Sequence, residues 1–531
     1  MMNKDYYMKV FIWLCMVIVP LLVGFYAISL GQDTNWDLLN YHLYNPYSYL
    51  HGRINLDLAP AGLQTYFNPF LDIMLFSAVH ALTPKLFGFL IGVIQGLNFI
   101  LVYKICRRVL GKSQEGYSLF LGVAGILSVG FISEIGTTLN DSLTALFPLV
   151  SLWLVFLSID KFDRNSQHAF VLIGLSGILM GIGCGLKLVI SIYALGLLLT
   201  LLFVPIAWGS RLKLALVFGA FSLAGLLLSG GYWFYVMWNE FGNPLFPQFN
   251  NIFHGELAHF EPSRDIRFLP KNLYEKIFYP FLFTSNPLRV AELQYWQVSW
   301  VFGYVSLIGL VIIGFTRSIK GRDKKQLSPQ VIILVAFFCI SYVLWLNIFG
   351  IYRYLIPIEI LMPLLIFVAF KCFFRQSAAR WSGVILISLI TFPNLKGAPD
   401  WGHSSWSESL YRVEPSALSN SPEPSVVYLV GQPLAWIVPA LEINAAFIQL
   451  APNILVSDVY WQRAKRISEN RPGKRYVVFE STAPTWLARA NKELYRLGLE
   501  LDKGDCDNLV GYLGMKRHEY QFCGVKFLEI K

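Results

Sequence analysis

Charged side chains are scarce in this chain. Only 14% of its 531 residues are Asp, Glu, Lys or Arg, whereas 55% are hydrophobic and 16% are aromatic. A soluble protein of this length could hide such a composition only within an implausibly large core. The scarcity of charge therefore excludes an ordinary soluble protein and predicts a chain that lies in lipid.

The charges that are present do not indicate a nucleic-acid surface, although the formal net charge is +10. Lys and Arg lie in short segments between apolar runs, which is the pattern of cytoplasmic loops in membrane proteins. We therefore expect no nucleic-acid partner. The chain also lacks internal repeats of fixed period and low-complexity tracts.

Cysteine is sparse and suggests no metal site. Five of the seven cysteines lie in or beside apolar runs, where a small buried thiol is the ordinary interpretation: Cys15, Cys106, Cys184, Cys339 and Cys372. The other two, Cys506 and Cys523, lie in a polar C-terminal region that the predicted topology places outside the cytoplasm. Disulfides persist there, so we expect these two cysteines to pair.

Apolar runs long enough to cross a membrane recur along the chain. A helix needs about 20 residues to cross a hydrocarbon layer about 30 Å thick. With the basic segments taken as cytoplasmic, about eleven transmembrane helices are predicted. They cover residues 10–30, 86–106, 117–135, 142–159, 170–185, 188–208, 214–238, a segment ending near 317, 331–349, 355–370 and 381–392. The first run has no small-residue cleavage site, so we expect it to be retained.

This path predicts a cytoplasmic N-terminus and two domains. Residues 1–393 form a transmembrane domain with a first outer loop at 32–85 and a second large outer loop at 239–295. Residues 394–531 form a small extracytoplasmic α/β domain, because strand-like runs at 426–430, 476–479 and 525–530 alternate there with helical patterns at 459–469 and 484–497. The predicted fold class is a polytopic α-helical membrane protein with this small domain at its C-terminus.

Polar side chains are concentrated at the start of the first outer loop. Charge beside apolar walls is costly and is usually retained for a task or a partner. Asp37 and Tyr41 would share one helical face, and His42 follows directly. Arg53 lies further along the loop, and Asp33 competes with Asp37 for the leading acidic role. The alternative interpretation of Asp37 is an ordinary residue at a helix boundary.

This region resembles the first-loop signature of the GT-C superfamily of integral-membrane glycosyltransferases. That superfamily includes aminoarabinose transferases and protein O-mannosyltransferases. The motifs that carry the resemblance are Trp36-Asp37-Leu38-Leu39-Asn40-Tyr41-His42, Tyr49-Leu50-His51-Gly52-Arg53, Asn140-Asp141-Ser142, Gly185-Leu186-Lys187, Asn243-Pro244-Leu245-Phe246-Pro247 and Tyr352-Arg353-Tyr354 with Pro357. They occur in the expected order, over roughly the first 370 residues, and are predicted to lie on one side of the membrane.

The resemblance implies roles for individual residues. An acidic residue after the first helix acts in catalysis or orients the acceptor, and Asp37 matches it. Asp141 resembles the second acidic position. Leu38 stands where a second acid usually follows the first, which weakens the case for a metal site built from that pair.

The chemistry of sugar transfer is consistent with these residue types. Negative charge develops on a departing phosphate, so a carboxylate base should face cations that hold that phosphate. Asp37 is the predicted base, and Lys187 and Arg353 are the predicted phosphate-binding residues. Lys187 could instead extend to the membrane interface, and Arg353 could be an interfacial anchor.

The remaining candidates are expected to support this chemistry. Asp141 is the second catalytic candidate, while Tyr41, His42 and Arg53 are expected to orient the substrate. No cofactor is firmly indicated. If a divalent metal such as Mg or Mn is used, Asp37, Asp141 and His42 are the available ligands.

The sequence therefore predicts a glycosyltransferase that moves a sugar from a polyprenyl-phosphate donor to an acceptor in the cell envelope. The expected location is the outer face of a bacterial inner membrane, with membrane lipids as further partners. A transporter or flippase for a lipid-linked sugar is one alternative, although it should show repeat symmetry and ionisable residues near the bilayer midplane. A nonenzymatic membrane assembly protein is the other, although about eleven helices exceed what anchoring needs.

Overall fold

The fold consists of a helical membrane region followed by a C-terminal sheet. The computed structural model describes residues 4–162, 166–261, 265–319, 327–374, 377–416, 423–441, 443–452, 455–481 and 484–528. The basic segment expected at 320–325 lies outside these described residues.

Helices make up most of the first 400 residues. In the first half they are α1 (Lys4–Leu30), α2 (Tyr44–Leu50), α3 (Phe70–Ala81), α4 (Pro84–Leu110), α5 (Glu115–Ile126), α6 (Val129–Ser133), α7 (Asp141–Thr144), α8 (Leu146–Lys161), α9 (Ser166–Leu186), α10 (Ser191–Thr200) and α11 (Trp208–Phe241). They continue with α12 (Asn250–Phe253), α13 (Leu273–Ser285), α14 (Val298–Ile319), α15 (Pro329–Ile348), α16 (Ile356–Glu359), α17 (Met362–Phe373), α18 (Ser377–Thr391), α19 (Asn394–Gly397), α20 (Asp458–Glu469) and α21 (Pro484–Arg496).

Seven helical segments of the described chain are long and apolar enough to cross a membrane. They are Tyr6–Leu30, Pro84–Leu110, Asp141–Lys161, Ser166–Leu186, Trp208–Phe241, Val298–Thr316 and Pro329–Ile348. The pair Tyr352–Glu359 and Met362–Phe373, bent by 50°, forms an eighth span if the two helices are taken together. The chain is therefore a multi-pass membrane protein, as predicted.

Each of the eleven predicted spans coincides with helical structure, but four of them are short or broken, including 355–370, which forms the bent pair α16 and α17. The run at 117–135 is divided between α5 and α6, and the run at 188–208 gives only Leu188–Phe203 before α11 begins. The run at 381–392 lies within α18, which has 15 residues. The count of about eleven spans stays a prediction.

Glycine allows α9 and α11 to pack at backbone distance. A Cβ atom placed on Gly181 would lie 2.0 Å from the carbonyl oxygen of Ser222, and one on Gly225 would lie 2.2 Å from that of Ile178. Small residues at such positions are the usual means by which membrane helices approach closely. This contact fixes the end of α9, where Lys187 follows.

The C-terminal region forms a sheet, which confirms the predicted small domain with strands and helices. Its strands are β3 (Tyr411–Val413), β4 (Ser425–Val430), β5 (Ala445–Gln449), β6 (Arg475–Glu480), β7 (Leu499–Leu513) and β8 (Lys516–Phe527), and a separate short pair joins β1 (Gln32–Asp33) to β2 (His403–Ser404). The six-stranded sheet has the order β3-β7-β8-β6-β4-β5. β4 is parallel to β5 and β6, whereas β3, β7 and β8 are antiparallel to their neighbours. The domain boundary at 393/394 stays a prediction.

Cys506 and Cys523 face one another across β7 and β8, next to an irregularity in their register. A disulfide joins them. The bond crosslinks the long hairpin that forms the centre of the antiparallel half of the sheet.

The first loop is joined to this sheet at two places. β1 pairs with β2 directly after α1 ends. Further along the loop, Asp57 is buried and accepts hydrogen bonds from Arg53 at 2.7 and 2.8 Å, from the Tyr44 hydroxyl at 2.7 Å and from the Phe447 amide at 2.8 Å. Leu58 then forms a bridge to Ile448 on the edge strand β5. The sheet therefore holds the loop that carries Asp37.

Candidate active site

Four charged side chains from distant parts of the chain meet at the ends of the helices. Arg353 Nη1 lies 2.7 Å from Asp37 Oδ2, and Arg353 Nε lies 3.7 Å from Asp141 Oδ2. Lys187 Nζ lies 2.5 Å from Asp141 Oδ1. The structure thus brings together both predicted catalytic carboxylates and both predicted phosphate-binding cations.

Asp37 is held by a short irregular segment after β1. It immediately precedes a π-helical turn at Leu38–His42 and is only 5% exposed. π-helical turns occur frequently at functional sites. This geometry places the Asp37 carboxylate against Arg353.

Asp33, the competing acid, has a different environment. Its carboxylate accepts hydrogen bonds from the amide and side chain of Asn35 and from the amide and hydroxyl of Thr138. Those bonds tie the first loop to the 134–140 turn. The geometry therefore makes Asp33 a structural residue and leaves Asp37 as the acid that faces the cations.

The pKa of Asp37 reflects two opposing effects. Burial is the largest single effect and raises the pKa. The charges of Arg353, His42 and Lys187, with the hydrogen bond from Arg353, together exceed it and lower the pKa below its ordinary value. Asp37 is therefore an ionised carboxylate at neutral pH. Oδ2 is bound by Arg353, which leaves Oδ1 as the oxygen that can accept a proton.

Asp141 is positioned by a strained turn at the start of α7. Asn140 has a left-handed backbone with φ of 69°, which Asn adopts more readily than most residues. Gln95 on α4 binds this turn through the Gly136 amide, the carbonyls of Glu134 and Thr137, and the Ser142 hydroxyl. These contacts aim Asp141 at Lys187.

Glu134 is a site residue that sequence reasoning did not identify. It is fully buried, and its Oε2 accepts a hydrogen bond of 2.8 Å from the Ser142 amide. Its other oxygen, Oε1, has no hydrogen-bond partner within the described part of the chain. The sequence did contain a signal for Glu134, because it is an acidic residue at the end of an apolar run. Acidic residues in such positions usually have a function.

Lys187 follows directly after α9. Its backbone is extended, and its ammonium group also donates to the Leu139 carbonyl at 2.7 Å. An ammonium group has three donors, so these two contacts leave one available. Lys187 points into the cluster and is not an interfacial side chain.

Arg353 lies in a single 3-10 turn, Tyr352–Leu355, before the bent pair α16 and α17. Its guanidinium lies over the rings of Tyr354 and Trp401, at 5.4 and 5.7 Å from their centroids. Aromatic faces attract cations and fix their position. Two aromatic rings and two carboxylates therefore fix the orientation of the Arg353 guanidinium group.

Tyr41 and His42 lie beside the cluster. His42 Nδ1 is 2.7 Å from Asp72 Oδ1, and the same oxygen accepts a bond from Asn140 at 3.2 Å. The Tyr41 ring packs on His42 with a centroid distance of 4.2 Å. Asp72 was not singled out in the sequence, because it lies within the largely apolar stretch that forms α3.

Arg53 lies apart from the charged cluster. It lies against the sheet, where it bonds Asp57 and the Ala445 carbonyl and covers the Phe447 ring. No contact joins it to Asp37, Asp141, Lys187 or Arg353 among the described residues. Its contacts attach the first loop to the sheet, and a role in orienting the substrate stays a prediction.

The three residues suggested as metal ligands each contact another charged or titratable side chain. Asp37 and Asp141 each face a cation, and His42 faces Asp72. Within the described ranges, no group of three or more His, Cys, Asp or Glu side chains is arranged to hold a metal ion. The residues do not fit a divalent cation in this arrangement, and a need for Mg or Mn stays a prediction.

Solved structures of membrane glycosyltransferases share this fold. ArnT from Cupriavidus metallidurans bound to undecaprenyl phosphate is 13% identical, with a TM-score of 0.51 over 95% of this chain and 97% of its own. The oligosaccharyltransferase AglB from Archaeoglobus fulgidus, in complex with an inhibitory peptide and a dolichol-phosphate, is also 13% identical, with a TM-score of 0.51 over 91% of this chain and 70% of its own. An apo form of the Archaeoglobus fulgidus enzyme gives the same TM-score over 88% of this chain.

The chain therefore has the fold of ArnT and AglB, in agreement with the GT-C-like membrane fold that the sequence predicted. At 13% identity the likeness defines the fold and leaves the reaction to be argued from the site. No family model matches the chain, and no curated protein matches it in sequence.

Proposed function

We propose that this protein is a glycosyltransferase that takes a sugar from a polyprenyl-phosphate carrier at the outer face of a bacterial inner membrane. The observation that carries the proposal is the cluster of Asp37, Asp141, Lys187 and Arg353 at the helix ends. The fold supports it, because ArnT was solved with undecaprenyl phosphate and AglB with a dolichol-phosphate.

In the proposed reaction, an acceptor hydroxyl attacks the anomeric carbon of the donor sugar. The new bond joins the hydroxyl oxygen to that carbon, and the bond from carbon to the carrier phosphate breaks with its electron pair on the phosphate. Asp37 Oδ1 takes the hydroxyl proton. The products are the glycosylated acceptor and the polyprenyl phosphate, and the proton leaves from Asp37.

Lys187 and Arg353 would bind the carrier phosphate without leaving their carboxylates. Arg has five N–H donors and Lys has three, so both keep donors free beyond the contacts seen here. The carboxylates hold the cations in place before the phosphate arrives. Such preorganised charge is the usual source of transition-state stabilisation.

Two carboxylate variants separate the chemical role from the structural one. In a membrane assay with labelled polyprenyl-phosphate sugar, we expect Asp37→Asn to lower the transfer rate by about 10²–10⁴-fold, because it removes the base. Protein yield and donor binding should remain. Glu469→Gln, at an exposed carboxylate of α20, is the matched control and should transfer normally.

Asp33→Asn should act differently. It should lower the thermal stability, because Asp33 joins the loop to Thr138, and any activity loss should follow the loss of folded protein. If Asp37→Asn transfers at the normal rate while Asp33→Asn folds but does not transfer, the base has been assigned to the wrong acid.

Lys187→Ala should mainly weaken donor binding. We expect the KM for the labelled donor to rise, with a smaller fall in kcat, because the cation contacts the phosphate in the ground state as well. A KM equal to that of the unmodified protein would remove Lys187 from the phosphate site.

A further inference from the structure

A second site lies away from the charged cluster, between the start of α4 and the C-terminal domain. A cavity of about 570 Å³ is lined by Lys85, Trp406, Glu408 and Arg412, among others. It adjoins a second cavity of about 400 Å³ through Glu408 and Ser409. Cavities of this size hold small ligands or head groups.

The lining of the larger cavity is positively charged. Lys85 and Arg412 carry two positive charges against the single negative charge of Glu408. Across the described ranges, neither cation has a carboxylate partner within 4.0 Å. Both cations therefore keep a positive charge that no carboxylate within the described residues balances, whereas Lys187 and Arg353 each contact one.

The cavity opens at the level where the chain enters the membrane. Lys85 is the second residue of α4, a membrane-crossing helix. The Trp406 ring packs against Gly88, and its indole donates to the Ile28 carbonyl near the end of α1. Trp is typical of this depth, because its ring is apolar and its N–H is polar.

An apolar stripe continues from the cavity down α4. Leu86, Leu90, Ile94 and Leu97 lie on one helical face and are 38–44% exposed. From Leu86 to Leu97 the helix rises about 16 Å, at about 1.5 Å per residue. That rise matches about half of a hydrocarbon layer about 30 Å thick, which is the depth of one leaflet.

We propose that this cavity and stripe bind one anionic phospholipid of the membrane. Lys85 and Arg412 hold the phosphodiester head group, and an acyl chain lies along Leu86, Leu90, Ile94 and Leu97. Lys and Arg side chains near a membrane surface attract the head groups of anionic lipids. The bound lipid would fill the gap between α4 and the C-terminal domain and would stabilise their contact.

Native mass spectrometry of the full-length protein tests this proposal. The protein is equilibrated with phosphatidylglycerol or with phosphatidylcholine of the same acyl chains. We expect retained phosphatidylglycerol to exceed phosphatidylcholine, and the double variant Lys85→Gln/Arg412→Gln to lower its retention about tenfold or more. The control Lys465→Gln/Arg517→Gln changes the charge equally at exposed positions and should retain the lipid as the unmodified protein does.

Two further arms keep the proposal falsifiable even if the double variant folds poorly. On the unmodified protein, rising salt should weaken phosphatidylglycerol retention, because the contact is electrostatic. Millimolar inorganic phosphate should not displace the lipid, because phosphate cannot use the apolar stripe. Equal retention of both lipids, salt-independent retention, displacement by phosphate, or a folded double variant that binds normally would each overturn the proposal.

Discussion

At the scale of single residues, the ion pair between Asp37 and Arg353 determines how the site responds to pH. A carboxyl with a lowered pKa keeps its ion pair at every pH above its ordinary pKa of about 3.9. The ion pair is lost as the pH falls through the lowered pKa. The structure places Asp37 in this class, because the charge and hydrogen bond of Arg353, together with the charges of His42 and Lys187, exceed the effect of burial on its pKa.

The transfer rate should therefore be insensitive to pH from neutral down to about pH 4, where an ordinary Asp would begin to be protonated. Removing the cation with Arg353→Gln should move the acid limb to higher pH, since burial still raises the Asp37 pKa while the strongest opposing charge is lost. Measuring the pH–rate profile of both proteins in reconstituted membranes tests this. An acid limb at the same pH in both would mean that Arg353 does not act on the essential carboxylate.

At the scale of structural elements, the contact between α9 and α11 supports the position of Lys187. The two helices approach through glycine, and Asn68 of the first loop binds the Gly185 carbonyl of α9 and the Ser229 carbonyl of α11 at 2.7 and 3.1 Å. The end of α9 is thus fixed from two directions.

Two alanine substitutions on α9 should differ in effect. Gly181→Ala places a methyl group 2.0 Å from the Ser222 carbonyl, so the helices must separate, and we expect a loss of stability of about 1–3 kcal/mol. Gly174→Ala meets only the Phe221 ring at 3.5 Å, an ordinary contact. Thermal unfolding in detergent should separate the two variants, and equal melting temperatures would argue against the close packing.

The sequence predicted some elements well and others poorly, for physical reasons. The strand at Ser425–Val430 and the helix at Asp458–Glu469 have strong local patterns, and both occur close to where they were expected. The edge strand β5 and the long strand β7 were not predicted. β5 has only five residues and is defined by its pairing with β4. The polar run around Asp505 interrupts the strand pattern of β7. Pairing over a long sequence distance leaves little local signal.

The candidate site was also predicted only in part. Asp37, Asp141, Lys187 and Arg353 could be found because each charge stands at the end of an apolar run. Their contacts could not, since they depend on how four segments converge.

At the scale of the whole molecule, the first loop links the helical region to the sheet. Asp57 is 3% exposed, and its carboxylate accepts hydrogen bonds from Arg53, from Tyr44 and from the Phe447 amide of the edge strand β5. The sheet therefore positions the loop that begins with Asp37, which gives the C-terminal domain a structural part in the site.

Asp57→Ala should break this attachment. Removing one partner of a buried ion pair costs about 3–5 kcal/mol, because the other charge stays buried. We expect a lower melting temperature and faster proteolysis of the first loop. Glu469→Ala removes an exposed carboxylate and should change the stability by less than about 0.5 kcal/mol. Equal protease sensitivity of the two variants would show that the loop and the sheet do not depend on this contact.

We propose that the bond between carrier and sugar is broken at the cluster of Asp37, Asp141, Lys187 and Arg353. The most direct measurement reconstitutes the purified protein with a doubly labelled polyprenyl-phosphate sugar and envelope extract, and follows the sugar and the carrier separately. We expect one polyprenyl phosphate to be released for each sugar transferred, and both signals to be lost in Asp37→Asn. Movement of the intact lipid-linked sugar across the membrane, with no release of carrier, would contradict it.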